Sequence, residues 1–95
     1  MVEPIYVYRI LGGQYDRYCA VNPLQKIATN IPLTDITDKV IGQLADIIRL
    51  HDGPIRNEEP PEEYHGKVPM PASGERIEVL EFFEMAMLYD FLAND

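Results

Sequence analysis

The chain has little cysteine, few bases in its second half and no long apolar run, and each shortage removes a class of function. A single cysteine, Cys19, allows no internal disulfide and suits a reducing compartment, so the cytoplasm is the expected location. No apolar stretch approaches the roughly 18 residues that a membrane-spanning helix needs. The opening VEPIYVYRIL lacks a basic region and carries Glu3 and Pro4, so a secretory signal peptide is not expected. Internal repeats are absent, and 95 residues are enough for one domain with one modest core.

The shortage of bases is local. Residues 1–50 set five acids (Glu3, Asp16, Asp35, Asp38, Asp46) against five bases (Arg9, Arg17, Lys26, Lys39, Arg49). Residues 51–95 set eleven acids against Arg56, Lys67 and Arg76 alone, so this half carries the whole formal net charge of −8. Nucleic acid and anionic membranes attract basic patches, so direct binding to either is not expected. The expected counterpart is a protein with a basic surface.

Signatures of catalysis or of bound cofactors are equally scarce. Glu62-x-x-His65 has the spacing of one half of a di-iron site, but such sites need a second pair and further glutamates on a four-helix scaffold. Here the one pair stands beside Pro60, Pro61 and Gly66, where a solvated loop is the simpler reading. Cys19 falls in an apolar strand pattern, the setting of a buried and inert thiol, and neither His51 nor His65 comes with a recognisable orienting group. Gly12–Gly13 lacks the GxxxxGK pattern of a phosphate loop and reads as a turn. The tyrosines of the first strand could stack on bases, yet Arg9 and Arg17 are thin support for RNA binding. No enzymatic activity, metal or cofactor is expected.

What is present is an α+β pattern. IYVYRIL is rich in β-branched and aromatic residues and predicts a strand over about 4–11. GGQYD supplies a turn, RYCAV a return strand over 17–21, and QKIATNI a third strand over 25–31, giving a hairpin or a three-stranded meander. Thr34 or Asp35 can cap a helix over about 35–50, with Ile36, Val40, Leu44, Ile47 and Ile48 on one stripe and Gly42 inside it. Residues 53–74 hold five of the eight prolines and three glycines and predict a long, extended loop. A second helix is expected over about 75–92, opened by Ser73 or Gly74.

Two features suggest partners. The first is EEPPEEY, where Glu58, Glu59, Glu62 and Glu63 surround two prolines and Tyr64 follows: a stiff acidic segment suited to docking, or else a solubilising surface. The second is the last helix, which is apolar nearly all round. Ile77, Leu80, Leu88 and Phe91 form one stripe, and Val79, Phe82, Phe83 and Ala86 form another on roughly the opposite side. One stripe should face a second chain, unless the long loop folds back over it through Tyr64, Val68 and Met70.

On the same helix Glu75, Glu78, Glu81 and Glu84 would be spaced about 4.5 Å apart in rise, close to the roughly 3.4 Å between phosphates along a nucleic-acid strand. Glu84 would project into the first stripe, either at its rim or towards a partner's base. The expected function is therefore a small acidic interaction module, an inhibitor or modulator docking on a basic and even nucleic-acid-binding surface. Phage anti-defence and immunity-type proteins are similar in composition. The alternative is a homodimeric structural subunit joined through the C-terminal helix, by Leu88 and Phe91.

Overall fold

A computed structural model describes residues 3–14, 16–25, 27–33 and 36–94. Among these, the α+β architecture comprises five strands and two helices: β1 (Ile5–Leu11), β2 (Arg17–Asn22), β3 (Ile27–Pro32), α1 (Thr37–Ile48), β4 (Ile55–Arg56), β5 (Arg76–Glu78) and α2 (Phe82–Ala93). A single 3-10 turn, Glu62–Tyr64, lies between β4 and β5. No helix among the described residues is long and apolar enough to cross a membrane.

The first three strands form an antiparallel meander, with Tyr8 opposite Cys19 and Cys19 opposite Asn30. Asn22 shapes the second turn: its Oδ1 accepts the backbone N–H groups of Leu24 and Gln25, both at 3.2 Å, as short polar side chains do at turns. At the first turn Gly12 has φ +94, and a Cβ there would stand 2.9 Å from the carbonyl oxygen of Gly74. Only glycine accommodates both the backbone and that close approach.

The outer edge of β1 is shared end to end. β4 pairs with Ile5 and Tyr6 in parallel, and β5 pairs with Arg9, Ile10 and Leu11 in antiparallel fashion. Both strands come from stretches expected to be a loop or a helix. The second helix thus starts at Phe82, not near residue 75, because Arg76–Glu78 gain ladder bonds to β1 and extend the sheet. Glu81 and Glu84 then open α2 as a capping box, with the Glu81 N–H donating to Glu84 Oε1 at 2.9 Å. The expected cap of α1 at Thr34 or Asp35 lies outside the described residues.

Alternation along β1 divides the core into two clusters, one on each side of the sheet. Ile5 and Val7 point to the side covered by α1 and α2, where they join Tyr18, Ala20, Ile31, Val40, Ile41, Leu44, Ala45, Ile48, Leu80 and Leu88. Of the predicted stripe of α1, Val40, Leu44 and Ile48 are buried and Ile47 packs against the core; Ile41 and Ala45 widen it, and Ile36 is exposed. Tyr6, Tyr8 and Ile10 point the other way with Cys19 and Val21; Ile77 packs beside them from β5, and Val68 packs against them from the proline-rich stretch. The proline-rich stretch is therefore a third layer on the tyrosine side of the sheet, placed there by Val68.

Candidate functional site

The acids of the second half separate into two groups. Glu75, Glu78 and Glu84 are engaged within the chain. Glu75 accepts from Arg17 at 2.9 Å and from the Ala72 N–H at 2.8 Å, and these donors, the backbone one foremost, hold its carboxyl below the usual range. Glu78 lies 3.7 Å from Arg9 and 3.4 Å from Arg76. Glu84 is 3 % exposed and pairs with Arg9 at 3.6 Å. Arg9 also donates to the Val79 carbonyl through Nε and Nη2, so one guanidinium ties β1 to the approach to α2.

A row of four carboxylates along one helix is consequently not formed. Glu75 sits in a turn, Glu78 in β5, Glu81 at the helix cap and Glu84 in the interior. The phosphate-like spacing needed a helix beginning at 75, and the pairing of β5 with β1 removes it.

Glu58, Glu59, Glu62 and Glu63 are all exposed. Glu58 stands 3.8 Å from the Arg56 guanidinium and Glu59 3.9 Å from His65 Nε2, long contacts between wet groups that stabilise little. Glu62 and Glu63 form the first turn of the 3-10 element. Tyr64 is half-buried, with Lys67 Nζ 6.0 Å above its ring. Pro60 is fully buried beneath the run, and its carbonyl meets His65 Nε2 at 3.0 Å. The glutamates are thus presented on an anchored backbone.

Of the two expected apolar stripes of the last helix, the one carrying Leu80, Leu88 and Phe91 turns inward. Leu88 is 0 % exposed and Phe91 packs on the core beside Gly42, so neither presents the partner-facing surface expected of them. Outward instead are Val79, Phe83, Tyr89 and above all Phe82, which is 90 % exposed. A helical wheel finds both stripes but does not say which one turns inward.

Sequence reasoning also missed the link between the acids and these aromatics. Asn57 Nδ2 donates to the Leu80 carbonyl at 2.8 Å, and its Oδ1 accepts the Leu80 N–H at 2.8 Å. This pair of bonds ties the residue before Glu58 to the residue before Glu81, so the start of the acidic run is anchored at the entry to α2. An amide flanked by Arg56 and Glu58 gives no sequence signal for such a distant role.

Elsewhere the chemistry is quiet. Cys19 is fully buried with Sγ 3.2 Å from Asn30 Oδ1, and burial pushes its thiol up to about 11. Burial, with Cys19 beside it, also pushes the Tyr8 phenol up. Among the described residues no cluster of three His, Cys, Asp or Glu side chains is arranged to hold a metal ion. No protein-family model matches this chain, and no curated protein or solved structure matches it.

Proposed function

We propose that the protein is a small acidic interaction module that docks on a basic protein surface and modulates the partner's activity. The observation that carries this reading is the Asn57–Leu80 double hydrogen bond, which ties the residue before the exposed acidic run to the residue two before the exposed Phe82–Phe83 pair. An aromatic anchor bordered by charge of one sign is a familiar plan for a recognition surface: the ring supplies buried area and the charges steer and orient. The complementary partner offers an apolar recess rimmed by lysine or arginine. Pro60 and Pro61 inside the run and the burial of Pro60 lower the entropy lost on docking.

The test is capture on the immobilised chain from nuclease-treated host lysate, eluted with a salt gradient, alongside two variants. One carries Glu58→Lys, Glu59→Lys, Glu62→Lys and Glu63→Lys together; the other carries Phe82→Ser. The expected result is a stoichiometric basic partner that salt releases from the native chain and that neither variant retains, with the circular dichroism of both unchanged. A partner held equally by the charge-reversed chain, or no partner at all, refutes the reading.

A further inference from the structure

We infer that β3 pairs with β3 of a second copy of this chain, antiparallel and about a twofold axis at Thr29. β3 ends the sheet and is hydrogen-bonded on one side only, to β2. The Leu33 N–H donates to the Asp16 carbonyl across that side at 2.9 Å. Backbone groups alternate sides along a strand, so in steps of two from Leu33 the residues Ile31, Thr29 and Ile27 direct their N–H and C=O towards β2. Ala28 and Asn30 direct theirs outward, where among the described residues no other strand pairs with them. Pro32 adds an outward carbonyl and no donor.

These outward groups are self-complementary. With Thr29 opposite its counterpart, Ala28 of each copy faces Asn30 of the other, and each such pair exchanges two N–H···O bonds. All four free groups of each copy's Ala28 and Asn30 are then used, in four bonds. Pro32 lies beyond them, where its missing N–H costs nothing. Natural sheet edges are commonly guarded by charge, by bulges or by proline within the strand. β3 reads IATNIP, has no charge, pairs one-to-one with β2 and keeps its proline for the last position.

Charge points to a second copy as the occupant. β3, α1 and the helix cap Arg49 together hold Asp38 and Asp46 against Lys39 and Arg49, a balance of zero. The eight glutamates between 58 and 84 belong to segments on the far edge and flank of the sheet. A twofold at Thr29 therefore leaves the acidic surfaces at the two ends of a continuous sheet, away from each other, and leaves the Phe82 corner open. An uncharged edge offers a foreign charged segment nothing to select. Alongside the edge an open groove of about 470 Å³, lined by Thr29, Ile31, Gln43 and Asp46 among others, gives room for the second copy's side chains.

The test uses the full chain. In a non-hydrogen-bonded antiparallel pair the Cα atoms stand about 4.5 Å apart, within the span of a disulfide. Mild oxidation of Thr29→Cys therefore yields a covalent dimer on a non-reducing gel, while Ala28→Cys, off the axis, crosslinks far more slowly; the native Cys19 is buried. Sedimentation equilibrium of the unaltered chain gives a dimer. Ala28→Pro removes one donor from each copy, two of the four bonds, and raises the dissociation constant about tenfold or more. That N–H has no partner among the described residues, so the variant's circular dichroism is unchanged. A monomer at every concentration overturns the inference. So does equal crosslinking at positions 28 and 29, or a dimer whose affinity Ala28→Pro leaves unaltered.

Discussion

The two sides of the sheet are covered by different means. Beneath α1 and α2 the contacts are aliphatic and non-directional: Val40, Ile41, Leu44 and Leu88 settle on Ile5, Val7 and Ile31. Beneath residues 57–75 the apolar cluster is smaller, and individual polar bonds hold the cover in place. The Tyr8 hydroxyl donates to the Pro69 carbonyl at 2.7 Å, and Arg17 holds Glu75 at 2.9 Å. A chain lying on an apolar face without a regular ladder must still satisfy its backbone donors and acceptors. Proline eases this because it brings no N–H. The carbonyls of Pro54, Pro60, Pro61 and Pro69 in turn find partners in Ile5, His65, Tyr64 and Tyr8. The richness in proline that suggests a free loop is thus part of what lets this segment serve as a layer.

The contrast can be broken most forcefully on the helical side. Leu88→Ala deletes a fully buried side chain and leaves a cavity, at an expected loss of about 3 kcal/mol in urea denaturation. A loss below about 1 kcal/mol would mean that this side is not the principal store of burial energy. On the other side, Tyr8→Phe keeps the ring and removes one hydrogen bond, for about 1 kcal/mol. Its sharper signature is local: the amides of Lys67, Val68 and Met70 should exchange faster while those of α1 keep their protection.

The smallest effect is one of pH. Glu75 has a lowered pKa when folded, so its contribution is present above the ordinary carboxylate value of 4.5 and is lost as pH falls through the folded value. Melting temperatures of Glu75→Gln should therefore depend less on pH than those of the native chain over that acid range. Parallel curves for the two proteins would show that the Arg17–Glu75 contact contributes nothing to the hold on the loop.

The meander and α1 were legible because each is specified locally, by period-two apolar runs, glycine and asparagine turns, and one helical stripe. β4 and β5 were not, since strands of two and three residues carry almost no pattern and exist only because β1 lies beside them. Ile77 and Val79 alternate as readily as they fit a helix, and the ladder to β1 decides between the two. The Glu81-x-x-Glu84 spacing ahead of an apolar run was the available sign that α2 begins late. For the candidate site, the exposure of Glu58, Glu59, Glu62 and Glu63 could be read from composition. The outward turn of Phe82 depends on which stripe reaches the sheet first, a tertiary matter that no helical period encodes.

The shared outer edge of β1 has a consequence for the order of manufacture. The meander and α1 are finished by residue 48, yet Arg9 closes onto the Val79 carbonyl across 70 residues of chain. While the ribosome is still adding the intervening stretch, the nascent chain holds β1 with its outer edge bare and its tyrosines in water. Contacts so distant along the chain slow folding, and bare edges recruit neighbours. β1 is made before the strands that complete its outer edge, and until they arrive that edge is open to wrong pairing.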